Sequence, residues 1–161
     1  MNYQKIHQRE VRISRRVETS ASTTRSAYIA LGISEDVAGL TVVDLAAGGC
    51  PLVATLLEKD VDAYAVDRLY KDHDNLRKFL DISFQGLMDR VTAQYPRHYD
   101  HMKRVTEEAL TQFWTSFEQH RDHYVTSWLT SLPFPDDFSD LTVSLNGISD
   151  LTDDLGVMKQ A

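Results

Sequence analysis

The stretch VVDLAAGGCPLVATLLEKDVDAYAVDRLY, Val42 to Tyr70, constrains the fold more than any other part of the chain. LTVVDLA is a short, apolar, β-branched run that ends on Ala47-Gly48-Gly49, the pattern of a buried strand entering a turn. Pro51 suits the first turn of a helix, where its missing N–H costs little. Leu52, Val53, Leu56 and Leu57 then form an apolar stripe at helical spacing, and DAYAVD reads as a second short strand. Strand, turn, helix and strand in this order favour a parallel sheet joined by right-handed crossovers.

The flanking sequence extends the pattern. Residues from about Val11 to Leu31 read as helical, with Gly32 as a stop and SEDVAG as a connector, giving an N-terminal helical segment over about 1–38. Between about 71 and 122 the period changes. Leu76, Phe79, Leu80, Phe84, Leu87, Met88 and Val91 describe one amphipathic helix, Pro96 interrupts, and Met102, Val105, Ala109, Phe113 and Phe117 describe another. YVTSWL and DLTVSL are a third and fourth strand, separated by LPFPDDF, a turn with two prolines. No internal repeat or low-complexity tract is present. The 161 residues therefore read as one domain: an α/β, Rossmann-like open parallel sheet of about four strands with a helical insertion.

Composition narrows the function. With 42% hydrophobic and 25% charged residues the chain reads as globular. A formal charge of −7 argues against nucleic acid as a partner, because that binding needs a basic surface; the cationic HQREVRISRR reads as a solvated helix end. Cys50 is the one cysteine, which excludes an intrachain disulfide and fits a reducing compartment. No apolar run approaches the roughly 20 residues of a membrane span, and the N-terminus is too polar for a secretory signal. A cytoplasmic location without membrane attachment is the expectation.

Three ligands compete for the glycine turn. A P-loop needs a lysine and then Ser or Thr at the helix start, and GGCPLV has neither. A dinucleotide fingerprint needs three glycines; Ala46, Gly48 and Pro51 supply one. An adenosine ligand without phosphate needs a tight turn and an acid at the end of the next strand to accept from both ribose hydroxyls. Asp67 stands nineteen residues beyond Gly48, near the roughly 20 expected of a ribose acid. Asp44, at the carboxyl end of the first strand, is placed to orient the turn or to receive an ammonium through water.

VVDLAAGG followed by AYAVDRLY resembles the first two motifs of class I S-adenosylmethionine-dependent methyltransferases. The family turn, Asp-x-Gly-x-Gly-x-Gly, maps onto Asp44, Ala46, Gly48 and Cys50. LTSLPFPDDFSDLTVSLNGISDL resembles the later segment in which Leu-Pro-Phe precedes a strand. The likeness is greatest to a subgroup with LDLAAG and DPLY-like motifs and a long helical insert, and it covers roughly Leu40 to Leu151. It implies S-adenosylmethionine as cofactor, held by Asp44, Ala46, Ala47, Gly48, Gly49, Cys50, Asp67, Arg68, Trp128, Leu129 and Asn146. Trp128 falls where many members place an adenine-binding aspartate, and either stacks on adenine or belongs to the core. Leu129 is the neighbouring backbone contact, and Asn146 lies near the transferred methyl or in a turn. The departures are clear: of the family's three glycines only Gly48 remains, Ala46 adds a methyl, and Cys50 adds more beside the methionine portion.

Methyl transfer from a sulfonium needs neither metal nor covalent intermediate, so no catalytic base is named. Cys50 is either a thiol activated at a helix N-terminus or a small residue packed beside a turn. HYDH (His98, His101) and HRDH (His120, His123) place imidazole pairs on helical faces, but zinc wants three or four ligands, so no metal is expected. DRLYKDHD lacks calcium-loop spacing and reads as a loop and helix cap.

The resembled family has about seven strands in the order 3-2-1-4-5-7-6. Four strands imply the order 3-2-1-4 without the C-terminal strands, leaving the fourth strand as an edge open to pairing. Truncation, a short chain whose own tail covers that edge, and a homodimer all account for this. The leading expectation is a shortened or degenerate methyltransferase-like domain acting on an unknown acceptor. The alternative is a non-catalytic binding or regulatory module that pairs through its edge strand. A nicotinamide-dependent oxidoreductase is a more distant third.

Overall fold

The computed structural model of the chain describes residues 37–144. The helix expected over Val11–Leu31, and Asn146, lie outside the described residues. Strand β1 (Thr41–Leu45) pairs in parallel with β2 (Asp62–Val66), from Thr41 opposite Asp62 to Leu45 opposite Val66. On its other side β1 pairs in parallel with β4 (Leu141–Val143), and β2 pairs in parallel with β3 (Tyr124–Val125). The order β3-β2-β1-β4 is that of an all-parallel, Rossmann-like α/β sheet.

Alternation along the strands separates two faces. Val42, Asp44, Ala63 and Ala65 share the face that meets the helices, and all four are buried. Helix α1 (Leu52–Leu57), with Pro51 at its cap, buries Leu52, Val53, Ala54 and Leu56 there. Tyr64 points to the opposite face. It stacks on His123 at 4.9 Å and meets Phe134 and Phe138 edge-on, so the connection into β4 folds against that side.

The helical insertion is a hairpin that forms the crossover from β2 to β3. Helix α2 (His73–Gln94) is capped by Asp72, whose side chain accepts from the Asn75 amide. Pro96 forces the break: Tyr95 before it leaves the helical region at φ −140° and ψ 53°, and helix α3 (Tyr99–Gln119) then runs back. One end of the hairpin adds Leu76, Leu80, Phe113 and Phe117 to the main core. The other end has a smaller core of its own, Leu87, Met88 and Val91 with Phe84, Tyr99 and Met102 packed on it.

Three details differ from the sequence pattern. Phe79 is 44% exposed; at about 100° per residue it turns away from the face that Leu76 and Leu80 share. The third strand stops at Val125. Its last ladder bond is Asp67 N–H to the Val125 carbonyl, after which the neighbouring chain coils into a 3-10 turn, Arg68–Lys71, and offers no partner. The fourth strand is limited to Leu141–Val143, tied at its start where Asp140 accepts from the Thr41 amide at 2.8 Å. Among the described residues, no helix is long and apolar enough to cross a membrane.

Candidate functional site

Asp44, the glycine turn and Asp67 lie at the carboxyl ends of β1 and β2, the edge where open α/β sheets hold ligands. β1 leaves the sheet through Ala46, whose φ of 54° is left-handed, and Gly48 adopts the same φ. Glycine accepts that conformation without strain and alanine does not. The turn is closed largely by its own amides. Ala47 N–H donates to the Val66 carbonyl at 3.2 Å and Cys50 N–H to the Ala47 carbonyl at 3.0 Å.

Gly48 N–H donates to Oδ2 of Asp67 at 3.0 Å, and Leu69 N–H donates to its Oδ1 at 2.9 Å. The glycine turn and the acid ending β2 are therefore in direct contact, and two amides fix the carboxylate plane. A carboxylate has roughly four acceptor positions, enough to hold two amides and two hydroxyls together. The Tyr70 hydroxyl donates to the Gly48 carbonyl at 2.8 Å. Burial first, then the charges of Asp67 and Asp44, push the phenol well above its ordinary pKa and keep that proton in place.

Asp44 is 1% exposed, and neither of its carboxyl oxygens has a hydrogen-bond partner among the described residues. Burial, and secondarily the nearby charge of Asp67, raise its pKa from 3.8 to about 8. At neutral pH it is mostly a neutral acid beneath the turn. Cys50 is 2% exposed and packed in the main core.

The site has an open side. Arg68, directly after Asp67, is exposed, and its guanidinium lies 5.2 Å from the ring centre of Trp128, itself 54% exposed. Leu129 follows in a half-buried turn. Asp44, Ala46 to Cys50 and Asp67 are thus gathered at one place, with Arg68 and Trp128 paired beside it.

Three further residues shape the turn, in contacts that the sequence pattern does not mark. Tyr70 ends the quoted stretch, and its aromatic ring in a polar run was an available signal. Arg121 donates to the Tyr70 carbonyl at 2.7 Å and covers Phe117, fixing the turn from α3's far end; no pattern marks it. Leu80 belongs to the apolar stripe of α2, yet its contact is with Gly49, where a β-carbon would meet its Cδ2 at 2.6 Å.

The remaining candidates lie apart. His123 Nδ1 is 2.9 Å from the Ala63 carbonyl and His101 Nδ1 is 3.4 Å from Arg104. Among the described residues no three His, Cys, Asp or Glu side chains gather as a metal site. An open groove of about 470 Å³ between α1 and α3 is lined by polar side chains, including Glu58, Arg104 and Gln112, and none belongs to the turn. Comparison with family models, curated proteins and solved structures finds no match to this chain.

Proposed function

We propose that this chain is a methyltransferase-like domain that binds S-adenosylmethionine across the carboxyl ends of β1 and β2. The observation that carries the reading is the 3.0 Å contact between the Gly48 amide and Asp67 in a parallel sheet of order 3-2-1-4. In this reading Asp67 accepts from both ribose hydroxyls, and the adenine stacks on Trp128 with the Arg68 guanidinium beside it. Asp44 faces the ammonium end through water. Its carboxyl, buried and without a hydrogen-bond partner among the described residues, fits such a group, because a nearby cation favours the charged form. The cofactor supplies an electrophilic methyl carbon; the protein residues hold it, orient it and exclude water.

Calorimetry with S-adenosylmethionine and S-adenosylhomocysteine tests the proposal, and absence of heat with both at millimolar ligand overturns it. Replacing Asp67 by Ala, in a variant whose melt shows it folded, should cost about 1.5–3 kcal/mol of binding. A second reading, a non-catalytic module that pairs through β4, draws on a different observation: Gly48, Gly49 and Cys50 are all buried, so the turn is closed as it stands. Light scattering at high concentration separates the two, since a clean monomer removes edge pairing.

A further inference from the structure

Helix α2 carries apolar side chains on a side that its own core does not use. Its inward side is complete: Leu76 and Leu80 enter the main core, and Leu87, Met88 and Val91 form the smaller one. On the outward side Phe79 is 44% exposed and Ile82 73% exposed, and Gly86 and the exposed Ala93 continue the same stripe at helical spacing. Glycine is disfavoured in a helix interior more than any residue except proline. Packing within the chain does not call for it here, since a β-carbon at Gly86 would meet nothing nearer than Arg90 Nη1 at 3.9 Å, an ordinary contact. Beside the exposed Ile82, the missing side chain leaves a notch that a second helix can enter.

The stripe is complementary to itself. When a second α2 lies antiparallel on it, about a two-fold axis level with Phe84, each Ile82 falls opposite the Gly86 of the other copy. A two-fold of this kind brings like flanks together. Lys78 and Asp89 share one flank, and each comes within one residue of the other's height on the opposite copy, so two charge pairs close that side. Phe79 and Arg90 share the other flank and meet in the same way, cation beside ring.

We propose that a second copy of this chain occupies the outward face of α2, docked antiparallel through Phe79, Ile82 and Gly86 with Lys78 and Asp89 paired across it. The interface uses neither β4 nor the glycine turn, so it stands apart from the ligand reading above. A single helix pair makes a small interface, below the roughly 1,200 Å² of stable complexes, so the dimer is reversible and forms in the micromolar range.

Sedimentation velocity of the full chain, from micromolar to millimolar concentration, tests this. Wild type should pass from monomer to dimer over that range. Ile82→Lys, at a position open enough to leave the fold intact, should raise the dissociation constant about tenfold or more. Lys78→Glu and Asp89→Lys should each raise it about threefold or more by setting like charges opposite, and the two combined should return it to within about twofold of wild type. Damage to the fold cannot imitate that recovery. Monomer at every concentration overturns the proposal. A dimer that survives Ile82→Lys is formed elsewhere, as through β4, and overturns it too, as does an exchanged charge pair that fails to recover.

Discussion

Asp44→Asn isolates a buried carboxyl that has no hydrogen-bond partner among the described residues. The carboxyl titrates near pH 8 in the folded chain against an ordinary value of 3.8. Its folded pKa is raised, so the native state holds the proton more tightly than the unfolded state. The contribution of this group to stability is therefore greatest below about pH 4, where both states are protonated, and falls as pH rises until about pH 8, where both are ionised. One proton gives a slope of about 1.4 kcal/mol per pH unit, so the full span is on the order of 5 kcal/mol. A domain's whole stability is about 5–15 kcal/mol, which makes this one side chain visible in any melt. Asparagine keeps the shape and cannot ionise. Urea unfolding of both proteins from pH 5 to 8.5 should give a stability difference that grows in favour of Asp44→Asn by about 1.4 kcal/mol per unit and levels off above pH 8. Taking the difference cancels carboxylates common to both chains. Parallel curves, or a wild type that gains on the variant with pH, would show that Asp44 is solvated or paired and refute the buried, partnerless carboxyl.

Ala46→Gly should stabilise the chain by about 0.5–1 kcal/mol, because relief of a left-handed alanine outweighs the added freedom of unfolded glycine; a lower melting temperature overturns the turn geometry. Tyr70→Phe should cost about 1 kcal/mol by removing the hydroxyl donor to Gly48, measured by denaturant melts; no change would break that link. Trp128→Ala, at a half-exposed position, should leave stability within about 0.5 kcal/mol while weakening adenosine binding, and equal affinity would return Trp128 to a packing role. If a bound ammonium favours the ionised form of Asp44, with its proton released to solvent, S-adenosylmethionine affinity should rise with pH up to about 8 while adenosine affinity stays flat; identical profiles remove Asp44 from the ligand site.

The βαβ stretch was legible because its signals are local: β-branched strands, a glycine turn, a proline at the helix start. The hairpin was legible from Pro96 and a 3.6-residue period. The strand order came instead from the family resemblance, since spacing alone does not say on which side of β1 a later strand adds. The third strand's length was hidden for a related reason. Tyr124 to Leu129 has the composition of a strand, but β2 has already coiled into its 3-10 turn, so only two residues find a ladder. At the site, the Gly48–Asp67 link could be anticipated from a spacing of nineteen. The contact of Leu80 with Gly49 could not, because the stripe of α2 shows which residues are buried and not against what.

The site divides into a fixed half and an adjustable half, and the division follows from where each group can find a partner. Asp67 is held by two amides, and Gly48 is held at both its amide and its carbonyl, so neither can turn without breaking bonds made by its own chain. Arg68 and Trp128 meet only through a ring contact at 5.2 Å in water, where such a pair is worth about 0.5–1 kcal/mol and opens readily. In the proposed reading, a ligand arriving from that side loses little in separating this pair and meets a carboxylate held by two amides. Asp44 is the exception: it is buried at a cost on the order of several kcal/mol at neutral pH, with no bond to offset it among the described residues. Stability alone favours asparagine or an apolar residue there. In the proposed reading, the ammonium end of the cofactor is the cation that offsets this cost, at the carboxyl end of β1.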